Sequence, residues 1–150
     1  LDAVAEGDPP EVFVDPDLKR GGDVDMDYVN AQAQTELREI ARRRQAYLRG
    51  RAPLDVKGRT AIVVDDGIAT GATMRAALKA LRRRAPALLV LAVPVAPQDT
   101  LDAMRGEADR IVCLDQPYPF IAVGQHYVEF DQVSDAQVIQ ALDSAPQPEH

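Results

Sequence analysis

Apolar residues in this 150-residue chain recur with two different periods. Continuous aliphatic runs mark strands, and three- and four-residue steps mark helices. Ala61-Ile62-Val63-Val64, Leu88-Leu89-Val90-Leu91-Ala92-Val93-Pro94-Val95 and Ile111-Val112-Cys113-Leu114 are the runs. Each predicts a strand buried on both faces of a parallel sheet. Between them, Met74, Ala77, Leu78 and Leu81 form the stripe of a helix from Met74 to Arg84, which Pro86 stops. Pro97 opens a shorter helix with Asp99 in its first turn and Leu101 and Met104 facing in. Strand, helix, strand, helix, strand predicts an α/β fold, a doubly wound, mainly parallel sheet with flanking helices and right-handed crossovers.

The flanks are read the same way. Residues 1–10 are a flexible lead, with Gly7-Asp8-Pro9-Pro10 as loop. Glu11-Val12-Phe13-Val14-Asp15 predicts a short strand, and Pro16 to Asp25 a loop carrying Gly21-Gly22. From Asp27 to about Leu48 the pattern is helical, with Val29, Ala33, Leu37, Ile40, Ala41, Tyr47 and Leu48 on one stripe and Gly50 closing it. Arg51 to Arg59 is loop, punctuated by Pro53 and Gly58. Asp115 to Val133 is a long connection holding Tyr118, Phe120, His126, Tyr127 and Phe130. It leaves the carboxyl end of a strand and can overhang a ligand crevice, its aromatics stacking on a base or filling core. His126 reads as structural, and Tyr127-Val128-Glu129-Phe130 as a brief strand. Ser134 caps a last helix, with Gln137 completing the capping box, Val133 and Val138 forming a staple, and Val138, Ile139 and Leu142 facing in. One domain results, with a core over 11–143 and a disordered tail over 144–150.

Composition narrows the function classes. A net charge of −7 argues against broad nucleic-acid binding, which wants a basic face. The single cysteine, Cys113, lies in an apolar run and excludes an internal disulfide framework. It reads as a small core residue and not a nucleophile. No run of 18 apolar residues and no signal peptide is seen, so no membrane span is expected and a cytoplasmic setting follows by default.

Chemistry concentrates in Thr60 to Thr73, T-A-I-V-V-D-D-G-I-A-T-G-A-T. Asp65 and Asp66 fall at the carboxyl end of the first long strand, where open α/β sheets bind ligands. Gly67 and Gly71 let the backbone turn tightly and approach a ligand closely. Thr70 and Thr73 offer hydroxyls, and the first helical turn offers unpaired amides that favour an anion. An anion held by the loop and a polyol or metal held by the two acids describe a sugar phosphate. A Walker A loop lacks its Lys here, and Gly67-x-x-x-Gly71 has the wrong spacing for a dinucleotide fingerprint.

Ala61 to Thr73 resembles the phosphoribosyl pyrophosphate (PRPP) motif of the type I phosphoribosyltransferases: four apolar residues, two acids, a small stretch, then T-G-x-T. Residues from about Asp27 to Asp135 are similar to a bacterial branch of that family, through the Arg-rich helix, the motif, Leu89 to Pro97 and Gln132 to Asp135. The resemblance implies transfer of ribose 5-phosphate from PRPP to a nitrogenous base with release of pyrophosphate. Asp65 and Asp66 would hold the ribose hydroxyls, serve catalysis and share Mg²⁺. Gly67, Ile68, Ala69, Thr70, Gly71, Ala72 and Thr73 would wrap the 5′-phosphate. Hypoxanthine-guanine members carry an Asp in the slot of Ala69, as orotate- and adenine-like members do not. Arg42, Arg43 and Arg44 are either a solvated helix end or the source of one Arg reaching the pyrophosphate.

Family members carry a strand, a pyrophosphate loop and a helix ahead of the point where this chain starts. Only Lys19-Arg20-Gly21-Gly22 looks superficially like that loop, and the first residue is Leu1, not Met. The expectation is a domain incomplete at its N-terminus, with an edge that favours a homodimer. A non-catalytic PRPP- or nucleotide-binding regulatory module on the same fold is the rival reading, and a vestigial site is the third.

Overall fold

The computed structural model describes residues 3–5, 11–13, 26–51 and 54–145. Among these, the elements follow in order as β1 (Ala3–Ala5), β2 (Glu11–Phe13), α1 (Met26–Leu48), β3 (Thr60–Val64), α2 (Ala72–Arg83), β4 (Leu88–Val95), α3 (Gln98–Met104), β5 (Arg110–Asp115), a 3-10 turn (Val123–His126) and α4 (Asp135–Ser144). The α/β class is as the sequence implies: β3, β4 and β5 form a parallel sheet in that order, flanked by helices. In register, Val64 pairs with Ala92 and Val93 with Cys113, so all three strands end at one edge with their loops together.

One sheet face carries the core. Ala61, Leu89, Leu91 and Val93 pack with Met74 and Leu78 of α2 and Leu101 and Met104 of α3, and Cys113 lies partly buried against them. Alternation along β4 explains this: every second residue from Leu89 to Val95 is buried and the residues between are half-buried.

The expectation of strands buried on both faces is corrected at the edges. Ile62 and Val64 are 62% and 71% exposed, and Val112 and Leu114 are 49% and 81% exposed. These four point to the other face, which the buried side chains of α2 and α3 do not reach. An apolar run specifies that both faces tolerate greasy side chains, not that both are covered.

Other departures are local. Ala3–Ala5 is a strand paired antiparallel with Glu11–Phe13, where the sequence reads a flexible lead. This pair lies against α2, which buries Met74, Ala76 and Leu78 and leaves Ala77 and Leu81 of the predicted stripe half-buried. In α1, Val29 and Ala33 are buried and Leu37, Ile40, Tyr47 and Leu48 half-buried, but Ala41 is exposed. Residues 127–130 are irregular and do not form the brief strand. The Lys19–Gly22 stretch, Pro53 and residues 146–150 lie outside the described residues.

Arg42 and Arg43 both pair with Glu39 at 2.8 Å, and Arg42 also reaches Asp135 of α4 at 3.2 Å. Tyr47 donates to the same Asp135 at 2.7 Å. Arg42 thus joins α1 to α4, while Arg43 pairs within α1. Ser134 forms the predicted capping box with Gln137.

Candidate functional site

The site is built where β3 runs into α2. Asp65 and Asp66 follow the last residue of β3 directly, and both are exposed at the sheet's carboxyl edge. The Asp66 N–H donates to Asp65 Oδ1 at 3.0 Å, which turns the first carboxylate back over the tip. Neighbouring atoms strip part of the water from Asp65, and the adjacent Asp66 carboxylate adds to the effect, so its pKa rises above the ordinary aspartate value.

The loop then divides into anchors and open groups. Ile68 is buried in the core, and its N–H donates to the Val95 carbonyl at 3.0 Å. Its amide is therefore spent, and of the predicted phosphate-wrapping residues Ile68 serves as an anchor. The Ala69 carbonyl accepts from Thr100 Oγ1 of α3 at 2.8 Å. Gly71 adopts φ 80, a left-handed value, and stands at the N-cap of α2 without any side-chain cap. A Cβ there would lie 2.0 Å from Met104 Cε, so a side chain would displace Met104 and strain the left-handed backbone.

Open groups face the other way. Thr70 and Thr73 are exposed, and their hydroxyls have no partner among the described residues. The first bond of α2 runs from the Arg75 N–H to the Gly71 carbonyl at 2.9 Å, leaving the amides of Ala72, Thr73 and Met74 without an intrahelical acceptor. Arg75 itself bonds Glu107 at 2.8 Å, pinning the start of α2 to the connection before β5.

The long connection does overhang this tip. Tyr127 Oη donates to the Asp66 carbonyl at 2.5 Å. A Cβ on Gly67 would lie 2.7 Å from Val123 and 2.9 Å from Val95, so the turn passes in close contact with both. His126 stacks on Phe120 with centroids 5.3 Å apart, the structural role its sequence context suggests. A cleft of about 440 Å³ lies between Pro97, Gln98, Asp99 and Asp102 on one side and Gln116, Pro117, Tyr118 and Phe120 on the other.

Sequence reasoning named Tyr127 only as one aromatic among several, and it missed Thr100 and Val123. Thr100 and Tyr127 reach backbone carbonyls 31 and 61 residues away, contacts that no local spacing signals.

Residues 19–129 match the phosphoribosyl transferase domain family. The chain belongs to that family. Among known members of the phosphoribosyl transferase domain family, it is 43% identical over 129 residues to two Mycobacterium tuberculosis proteins. These bear the names "Putative phosphoribosyl transferase Rv0571c" (strain H37Rv) and "Putative phosphoribosyl transferase MT0597" (strain CDC 1551 / Oshkosh). The alignment covers 86% of this chain and 29% of each relative, so the chain spans less than a third of their length. The crystal structure of TT1426 from Thermus thermophilus is similar at a TM-score of 0.70 and 35% identity, over 88% of this chain and 62% of that one. Among the described residues, no helix is long and apolar enough to cross a membrane.

Proposed function

We propose that the Asp65–Thr73 loop binds the ribose 5-phosphate part of PRPP and that the domain transfers it to a nitrogenous base. The observation that carries this is the loop's two-sided chemistry. Free amides and hydroxyls of the Thr70–Met74 stretch stand at a helix N-terminus, and two carboxylates stand at the preceding strand's end. The first set suits a phosphate and the second suits vicinal hydroxyls, as the family membership leads one to expect.

Asp65 and Asp66 accept hydrogen bonds from the ribose 2′- and 3′-hydroxyls and orient the ring. The C1′–oxygen bond breaks with its electron pair leaving on pyrophosphate. A ring nitrogen of the base bonds to C1′ and loses its proton. Positive charge on the ribose grows in between, and the carboxylates stabilise it electrostatically. Ala69 stands where a carboxylate base would sit, so the proton leaves by another route.

The residues suit magnesium in one specific way. No cluster of three metal-binding side chains exists among the described residues, which does not suit a resident metal cage. Two neighbouring carboxylates suit an ion that arrives on phosphate oxygens and keeps its waters. Bound there, Mg²⁺ supplies charge neutralisation for the departing pyrophosphate.

Calorimetric titration with PRPP, with and without Mg²⁺, is the test. Magnesium-dependent binding that the double variant Asp65→Asn/Asp66→Asn loses supports the site, and unchanged affinity in that variant removes it. Pyrophosphate release with PRPP and a base then separates an enzyme from a non-catalytic PRPP-binding module.

A further inference from the structure

We infer that Tyr127 is a positioning residue for the Asp65–Asp66 pair, acting through the Asp66 backbone. The inference rests on the ribose phosphate reading of that tip. Two hydrogen bonds fix the peptide groups on either side of the Asp66 Cα. The N–H side is tied to Asp65 Oδ1 and the C=O side to Tyr127 Oη. Asp65 and Asp66 lie past the last β3–β4 residue pair, at Val64. Both bonds converge on the Asp66 backbone.

Tyr127 arrives as part of a packed block. Its ring lies 5.2 Å from that of Phe130. Phe130 in turn sits over Gly124, where a Cβ would be 2.8 Å from its ring. Val123, one residue before Gly124, packs with Val95 against Gly67. The phosphate half of the loop has separate anchors, the Val95 carbonyl and Thr100. Tyr127 therefore serves the acids and not the anion-binding turn, and this division makes its role measurable.

Tyr127→Phe keeps the ring and removes the bond. Ribose 5-phosphate, which needs both halves, should bind about three- to tenfold more weakly. Inorganic phosphate, which needs only the turn, should bind unchanged. In ligand-free protein, the amides of Asp66 and Gly67 should exchange faster with solvent while those of Leu89 and Leu91 do not. Equal weakening of both ligands, or faster exchange across the sheet, would mean general loosening and overturns the inference. Undiminished ribose 5-phosphate binding overturns it as well. If the unmodified protein binds neither ligand, the proposed function falls separately. Exchange at Asp66 and Gly67 then decides the inference, upholding it if faster and overturning it if unchanged.

Discussion

Gly71 combines two demands that no other residue meets together. Its φ of 80 disfavours any side chain, and Met104 occupies the space a Cβ would take. Gly71→Ala should cost about 1–3 kcal/mol of stability in urea unfolding and weaken phosphate binding with it. Adding Met104→Ala relieves the clash but not the backbone strain. A double-mutant cycle should therefore show coupling between the two positions. The glycine was legible in the sequence because T-G-x-T has a fixed spacing. Its partner was not, since Met104 reads there only as a core position of a short helix. Ile68 shows the converse: the motif assigns it to the ligand, while its burial and its bond to Val95 assign it to the scaffold.

The docking of α4 on α1 is the clearest case at the level of elements. Ser134→Ala removes the capping box and should destabilise α4 by about 1 kcal/mol, read as lost helicity in a thermal melt. The ion pairs behind it are exposed, so each is worth little alone. Their pH dependence still has a definite sign. Hydrogen bonds from Arg42 and Arg43 lower the Glu39 pKa from 4.5 to about 2. Tyr47 and then Arg42 lower that of Asp135. A depressed carboxylate contributes fully above its unfolded pKa, near 4.5 for Glu39, and loses the contribution as pH falls through the folded value. Acid unfolding followed by circular dichroism should therefore show a loss between about pH 4.5 and 2 that Glu39→Gln reduces. Helix extents and the cap were legible from periodicity and from Ser134. The Asp135 contacts were not, because they join residues 93 and 88 apart.

The whole molecule is one-sided among the described residues. Its core lies between the sheet and α2 and α3, and the face bearing Ile62, Val64, Val112 and Leu114 is exposed. Leu114→Lys should change stability by no more than about 0.5 kcal/mol, since that side chain is already 81% exposed. It should also lower the binding of an apolar dye such as ANS. A large dye-insensitive destabilisation would mean that Leu114 is packed. The three parallel strands and the order of the helices between them were readable from the apolar runs, and the Ala3–Ala5 strand was not. Coverage was not, because the runs carry no record of what packs on them.

One consequence follows from how the loop is fastened. Ile68 is nailed to the core and Gly71 to the start of α2, with only Ala69 and Thr70 between them. The span is a ruler of fixed length. A single residue inserted there would leave both nails in place and lengthen the bite, so the fold should survive while the proposed fit to a tetrahedral anion is lost.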